Sequence, residues 1–174
     1  MNKTWDRLPA CRAQPDRLEA YPTTIIGVGS PHGDDQFGWV VAEELENTHG
    51  LVGRKISNPI DLIGWLDESD RVIVIDAAVG LPGDVDFQML GFANAKDRTT
   101  IGQIRSHGTH DIGLEQTLRM AESLGKRTDH VELWVGNARN IERLDPMSPA
   151  LIAIAKCCAA EIFREVCDAR TIAG

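Results

Sequence analysis

From Thr23 onward, apolar and polar residues follow two rhythms that take turns along the chain. Thr23–Gly29 (TTIIGVG) is a short β-branched run closed by glycine, the pattern of a buried strand. Gln36–Leu45 instead sets Phe37, Val40, Val41 and Leu45 on one helical face, with Gly50 as a stop. Leu51–Ser57 reads as a weaker strand and Asp61–Leu66 as a short helix. Arg71–Val79 (RVIVIDAAV) is apolar on both faces, as an inner parallel strand should be. Pro82-Gly83 makes a turn, and Asp84–Gly91 alternates Val85, Phe87 and Met89 with polar neighbours, which predicts a half-exposed edge strand. Ala93–His110 reads as polar loop. Gly113–Leu124 is helical, aligning Leu114, Leu118 and Ala121, and Gly125 closes it. His130–Gly136 is another strand. Ser148-Pro149 then opens a last helix that turns Leu151, Ile154, Ala155, Cys158 and Ile162 toward the core.

Strands alternating with helices predict a three-layer α/β fold: a twisted, mostly parallel sheet with helices on both faces and one antiparallel edge strand. Residues 1–21 read as a polar extension, and residues 22–174 as a single domain. In such folds ligands gather beyond the carboxyl ends of the strands. That rule points to the loop after Gly29, the loop after Ile75 and the loop before the Gly113 helix.

Composition narrows the class. A chain of 174 residues with 43% hydrophobic content can bury one sizeable core, so intrinsic disorder is excluded. Its 18 basic and 26 acidic residues leave a net charge of −8, and no basic stripe reverses this locally. No nucleic acid and no anionic membrane surface is expected as a partner. No segment approaches the ~18 apolar residues that span a bilayer, and the first twenty residues carry no apolar signal core. Cys11, Cys157, Cys158 and Cys167 form no C-x-x-C pair, so reduced thiols and a cytoplasmic location are the expectation.

Candidate chemistry sits in the three loops. The first reads Gly27-Val28-Gly29-Ser30-Pro31-His32-Gly33-Asp34-Asp35. It lacks the full G-x-G-x-x-G spacing, and its two carboxylates would repel a phosphate. One aspartate suffices to cap the following helix, so Asp34 is assigned to capping and Asp35 to function. Asp76 closes the apolar run Val72–Ile75, where an ionised carboxylate is costly without a cation or donors. The third loop offers His107 and His110, which spacing alone does not separate. His32, His49 and His130 read as structural or simply exposed. Two carboxylates and an imidazole at one open edge suit a divalent metal such as zinc or nickel, with positions left for substrate. No G-x-S-x-G elbow or H-E-x-x-H helix is present.

At these residues the sequence resembles the nickel–iron hydrogenase maturation endopeptidases. The Gly27–Asp35 loop is similar to that family's Gly-x-Gly-Asn-Pro loop with its acidic pair. Ile75-Asp76-Ala77 matches its acidic strand end, and His110-Asp111-Ile112-Gly113-Leu114 its His-x-x-Gly-Leu segment, which selects His110 over His107. Leu144–Ala150 resembles the entry to its last helix, so the likeness runs from Thr23 to Val166. The resemblance implies an endopeptidase that removes a C-terminal extension from a hydrogenase large-subunit precursor. Asp35, Asp76 and His110 would contact nickel carried by that substrate. No permanently bound cofactor is then expected, although zinc or another divalent ion fits the same ligands. Two departures are visible: Ser30 stands where the family usually has Asn, and Ser57-Asn58-Pro59-Ile60-Asp61 replaces an Asp-Gly-Gly-Thr segment associated with substrate choice. Lys96, Arg98 and Arg105 offer an alternative means of recognising an acidic tail, against the plainer reading of a solvated loop. Two other classes remain open: a non-cleaving metallocentre chaperone, and a small-molecule hydrolase or nucleotide-binding protein of the same architecture.

Overall fold

The structure is a computed structural model that describes residues 23–81, 85–104 and 113–172, with side chains as far as Ala169. The N-terminal extension, the Pro82-Gly83 turn and the loop carrying Arg105, His107 and His110 lie outside the described residues. Among the described residues, five strands form one sheet: β1 (Thr23–Val28), β2 (Arg54–Ile56), β3 (Arg71–Ala78), β4 (Phe87–Gly91) and β5 (Val131–Asn137). Their order is β2-β1-β3-β5-β4, all parallel except β4, which runs antiparallel to β5 at the edge. The central place of β3 follows from its sequence. Every residue from Val72 to Ala78 is buried, so both faces need a covering layer.

Four α-helices supply most of that cover: α1 (Phe37–His49), α2 (Ala95–Gln103), α3 (Leu114–Ser123) and α4 (Pro149–Ile172). Ile73 and Ile75 face α1 and α4, packing with Phe37, Val41, Ala155 and Ile162. Val72 and Val74 face the other way, among Leu62, Ile101 and Leu118. Each such aliphatic side chain contributes about 1.5–3 kcal/mol on full burial. The result is the expected three-layer arrangement with a core on each side of the sheet. No helix among the described residues is long and apolar enough to cross a membrane.

Two elements differ from expectation. Ala93–His110 is not loop throughout, because α2 occupies Ala95–Gln103. Only Ile101 of α2 is buried, too few apolar positions to register as a helical stripe. Its start is chemical instead: the Asn94 side chain accepts hydrogen bonds from the amides of Lys96 (2.9 Å) and Asp97 (3.4 Å). The short helix expected at Asp61–Leu66 is a 3-10 segment over Pro59–Trp65, capped by Asn58. α1 ends where expected: it runs to His49, and Gly50 closes it in the left-handed conformation at φ 69°.

Candidate active site

The carboxyl ends of β1 and β3 lie side by side, with Gly27 paired to Ile75 in the register. After β1 the chain turns through a 3-10 segment (Gly33–Gln36) directly into α1. The helix can begin so close because Gly38 has no side chain: a Cβ there would collide with the carbonyls of Val28 and Ile75. This close approach holds the Asp34–Asp35 pair against the strand ends.

Asp35 is 3% exposed, and its Oδ2 accepts a hydrogen bond from the Oγ of Ser30, itself buried. Asp76 is 4% exposed and stands opposite Val135 in the β3–β5 register. Its Oδ1 accepts the Ala77 amide at 2.8 Å. Both aspartates line one cavity of about 310 Å³. The structure thus brings two of the three expected residues to a common space. His110 falls outside the described residues; the chain re-enters them at Gly113, which lines the same cavity. Among the described residues, no group of three His, Cys, Asp or Glu side chains is placed to hold a metal ion.

Asp34 does not cap the helix that follows it. Neither the 3-10 segment nor α1 has a side-chain cap. Asp34 is fully buried and reaches across to the β5–α4 connection. Its Oδ2 accepts the amides of Arg139 and Asn140, and its Oδ1 the amide of Ser148, each at 2.9 Å. Burial by itself would raise this carboxyl, but the backbone donors from Asn140, Arg139 and Ser148, with the Ser148 side chain, hold it below the usual aspartate range. The same contact is reinforced by Gly33, whose φ of 52° and proximity to the Asn140 carbonyl exclude a side chain. The Asp34 amide in turn donates to Asn140 at 2.6 Å. Capping by an adjacent aspartate is a local rule, and here long-range donors outcompete it.

Other expectations resolve as follows. Arg98 is not free to recognise a substrate tail: its Nη2 pairs with Glu122 at 2.7 Å, its Nε donates to the Phe92 carbonyl, and it lies over the Phe92 ring. His130 is structural, with Nε2 at 2.8 Å from the Leu66 carbonyl. The thiol of Cys158 is buried in the α1–α4 core, which pushes its pKa far up, so it is no nucleophile. Ser57, from the segment that departs from the family pattern, also lines the cavity, as do Ile101, Gly102 and Glu115, to which the sequence assigns no role. The capping residue Asn94 was the one available signal that α2 would deliver Ile101 and Gly102 there.

No protein-family model matches this chain, and no curated protein matches it in sequence. Its fold, however, recurs among solved structures. The hydrogenase maturating endopeptidase HybD from E. coli superposes with a TM-score of 0.65 at 16% identity, covering 84% of this chain and 93% of that one. The [NiFe] hydrogenase maturation protease HycI from Thermococcus kodakarensis gives 0.59 at 21% identity, covering 86% and 95%. A hydrogenase 2 maturation peptidase from a Thaumarchaeota archaeon gives 0.52 at 24% identity, covering 83% and 97%. The chain therefore has the fold of the hydrogenase maturation proteases over most of its length.

Proposed function

We propose that this protein is an endopeptidase that removes a C-terminal extension from a hydrogenase large-subunit precursor carrying nickel. The observation that carries the reading is the pair of buried carboxylates, Asp35 and Asp76, lining one cavity at the ends of adjacent parallel strands. A buried carboxylate is costly unless a cation or donors compensate it. Ser30 donates to Asp35 and the Ala77 amide to Asp76, and a doubly charged ion on the substrate would add a cation between the two carboxylates. His110 is the third group assigned to that ion. Nickel belongs to the substrate in this scheme and is not a resident cofactor.

The metal would act as a template or Lewis acid, and one aspartate would orient the attacking water. Water adds to the carbonyl carbon of the cut bond and the C–N bond breaks. The water's protons end on the new amine and carboxyl groups. The test mixes the protein with nickel-loaded and nickel-free precursor and weighs the products by mass spectrometry. A peptide released from the loaded form alone supports the reading. Nickel-dependent association with no change in mass would replace it with the chaperone reading. Equal cleavage by wild type and Asp76→Asn would remove Asp76 from the scheme.

A further inference from the structure

We propose that the cavity beside Asp35 and Asp76 is a side-chain subsite, taking one aliphatic residue of the polypeptide next to the cut bond, and that Gly102 sets its size. This rests on the peptidase reading and adds the class of side chain the substrate must present.

Val28, Ala78, Leu133 and Val135 form the sheet wall of the cavity, while Ile101 and Leu114 come from α2 and α3. All six belong to one buried cluster, so the cavity is a notch in the core on the α2–α3 side of the sheet. Asp76 stands on the same sheet face, between Val74 and Ala78 along β3. A group held by the two carboxylates would therefore have its neighbouring atoms against apolar walls. At about 310 Å³ the space is roughly ten times the ~30 Å³ share of one water. It is at the lower end of the ~300–1,000 Å³ range of small-ligand pockets. An ion with its waters does not require that room, or apolar walls.

Gly102 lies inside α2. Glycine inside a helix is less stable than alanine, so its presence needs a reason. Among the described residues, neither close packing nor backbone conformation gives one: a Cβ at Gly102 would meet nothing nearer than the Glu115 carboxylate at 3.9 Å, and its φ is not left-handed. Gly102 lines the cavity, so any side chain added there occupies the open space. The glycine keeps a volume free. Glu115 on the same wall is ion-paired with Arg119 four residues on. An acidic side chain would lose its hydration against the apolar part of these walls and meet the like charges of Asp35, Asp76 and Glu115.

Two measurements on the full chain test this separately from the cleavage reaction. In methyl-detected NMR, N-acetyl-leucine methylamide should give saturable shifts at Ile101, Ile104 and Leu114. N-acetylglycine methylamide should not, and Gly102→Leu should abolish the effect. In the second, nickel-loaded precursors are compared that carry leucine, alanine or aspartate at the positions flanking the cut. Wild type should favour leucine over alanine by roughly 10–200-fold at the residue that enters the subsite. Gly102→Leu should remove that preference while still cutting the alanine form, and Gly102→Ala should fall between, with its melting temperature no lower than wild type. Methyl shifts without any cleavage would leave the subsite standing and defeat the peptidase reading. Cleavage indifferent to the flanking side chain, or Gly102→Leu behaving as wild type in both measurements, would overturn the subsite.

Discussion

Replacing Asp34 by asparagine should be among the most destabilising isosteric changes available in this protein, and the loss should depend on pH. Asp34 accepts amides of Arg139, Asn140 and Ser148 at 2.9 Å each and is fully buried. A hydrogen bond to a charged group is worth about 1.5–3 kcal/mol, but three bonds to one side chain do not add, and the loop donors can regain water in part. Asparagine keeps the volume, so no cavity forms. It offers one acceptor oxygen and turns an amide donor toward N–H groups that are themselves donors. The expected cost is about 3–5 kcal/mol, in the range for breaking a buried charged contact. For a chain of this size that corresponds to roughly 6–20 °C in melting temperature.

The sign of the pH effect follows from the direction of the shift. The folded-state carboxyl titrates below its ordinary value of 3.8, so its stabilisation is complete above the unfolded pKa. It drains away as pH falls through the depressed folded value. Urea unfolding of wild type and Asp34→Asn should therefore show the full gap near neutral pH and a shrinking gap below about pH 4. A gap under about 1 kcal/mol at neutral pH, or one unchanged on acidification, would refute the tether.

Gly38→Ala should cost about 2 kcal/mol or more, since its Cβ meets backbone carbonyls that cannot give way. Gly64→Ala, with nothing within 4 Å, should be neutral or stabilising by about 0.4–1 kcal/mol; thermal melts of both check the contrast. Ser30→Ala should slow cleavage of nickel-loaded precursor about tenfold by releasing Asp35, and Ser30→Thr, which keeps the hydroxyl, should restore it. Arg98→Ala should lower stability by about 1–2 kcal/mol, with Arg98→Lys recovering little of it. Arg98 is partly exposed, and its value lies in the fork that joins Glu122 to the Phe92 carbonyl, both read out by denaturant titration.

The layered fold was legible because its strongest signals are local. β3 is apolar on both faces and α3 and α4 carry regular stripes. The edge strand was legible too, but not its phase: β4 begins at Phe87, Val85 and Met89 are exposed, and Leu90 is the residue it buries. Asp35 and Asp76 were legible for a related reason: a carboxylate at the end of an apolar run is anomalous wherever it falls. What escaped was whatever depends on distant partners. Asp34 looks like a cap until the amides from 139, 140 and 148 are in place. Arg98 looks solvated until Glu122 approaches from α3. α2 buries a single residue, so no periodicity announced it, and with it went Ile101 and Gly102 of the cavity's lining.

The two adjacent aspartates do different work because the backbone turns between them and the strand. With Gly33 in the left-handed region, Asp34 is directed at the β5–α4 connection while Asp35 reaches the cavity. Ser148 stands just before α4, where its carbonyl accepts the Ile152 amide at 3.1 Å to begin the helix, and it gives its own amide to Asp34. The entry to the last helix is thereby fastened to the loop that holds Asp35. Gln36 adds to the joint, donating to the Asp145 carbonyl at 3.2 Å, as Gly33 does at 2.9 Å. A mutation in the 139–148 connection can consequently disturb Asp35 without touching the cavity. The position of Asp35 is set from two directions, by Ser30 on its own oxygen and by Asp34 through the backbone, so loosening either should misplace the same carboxylate.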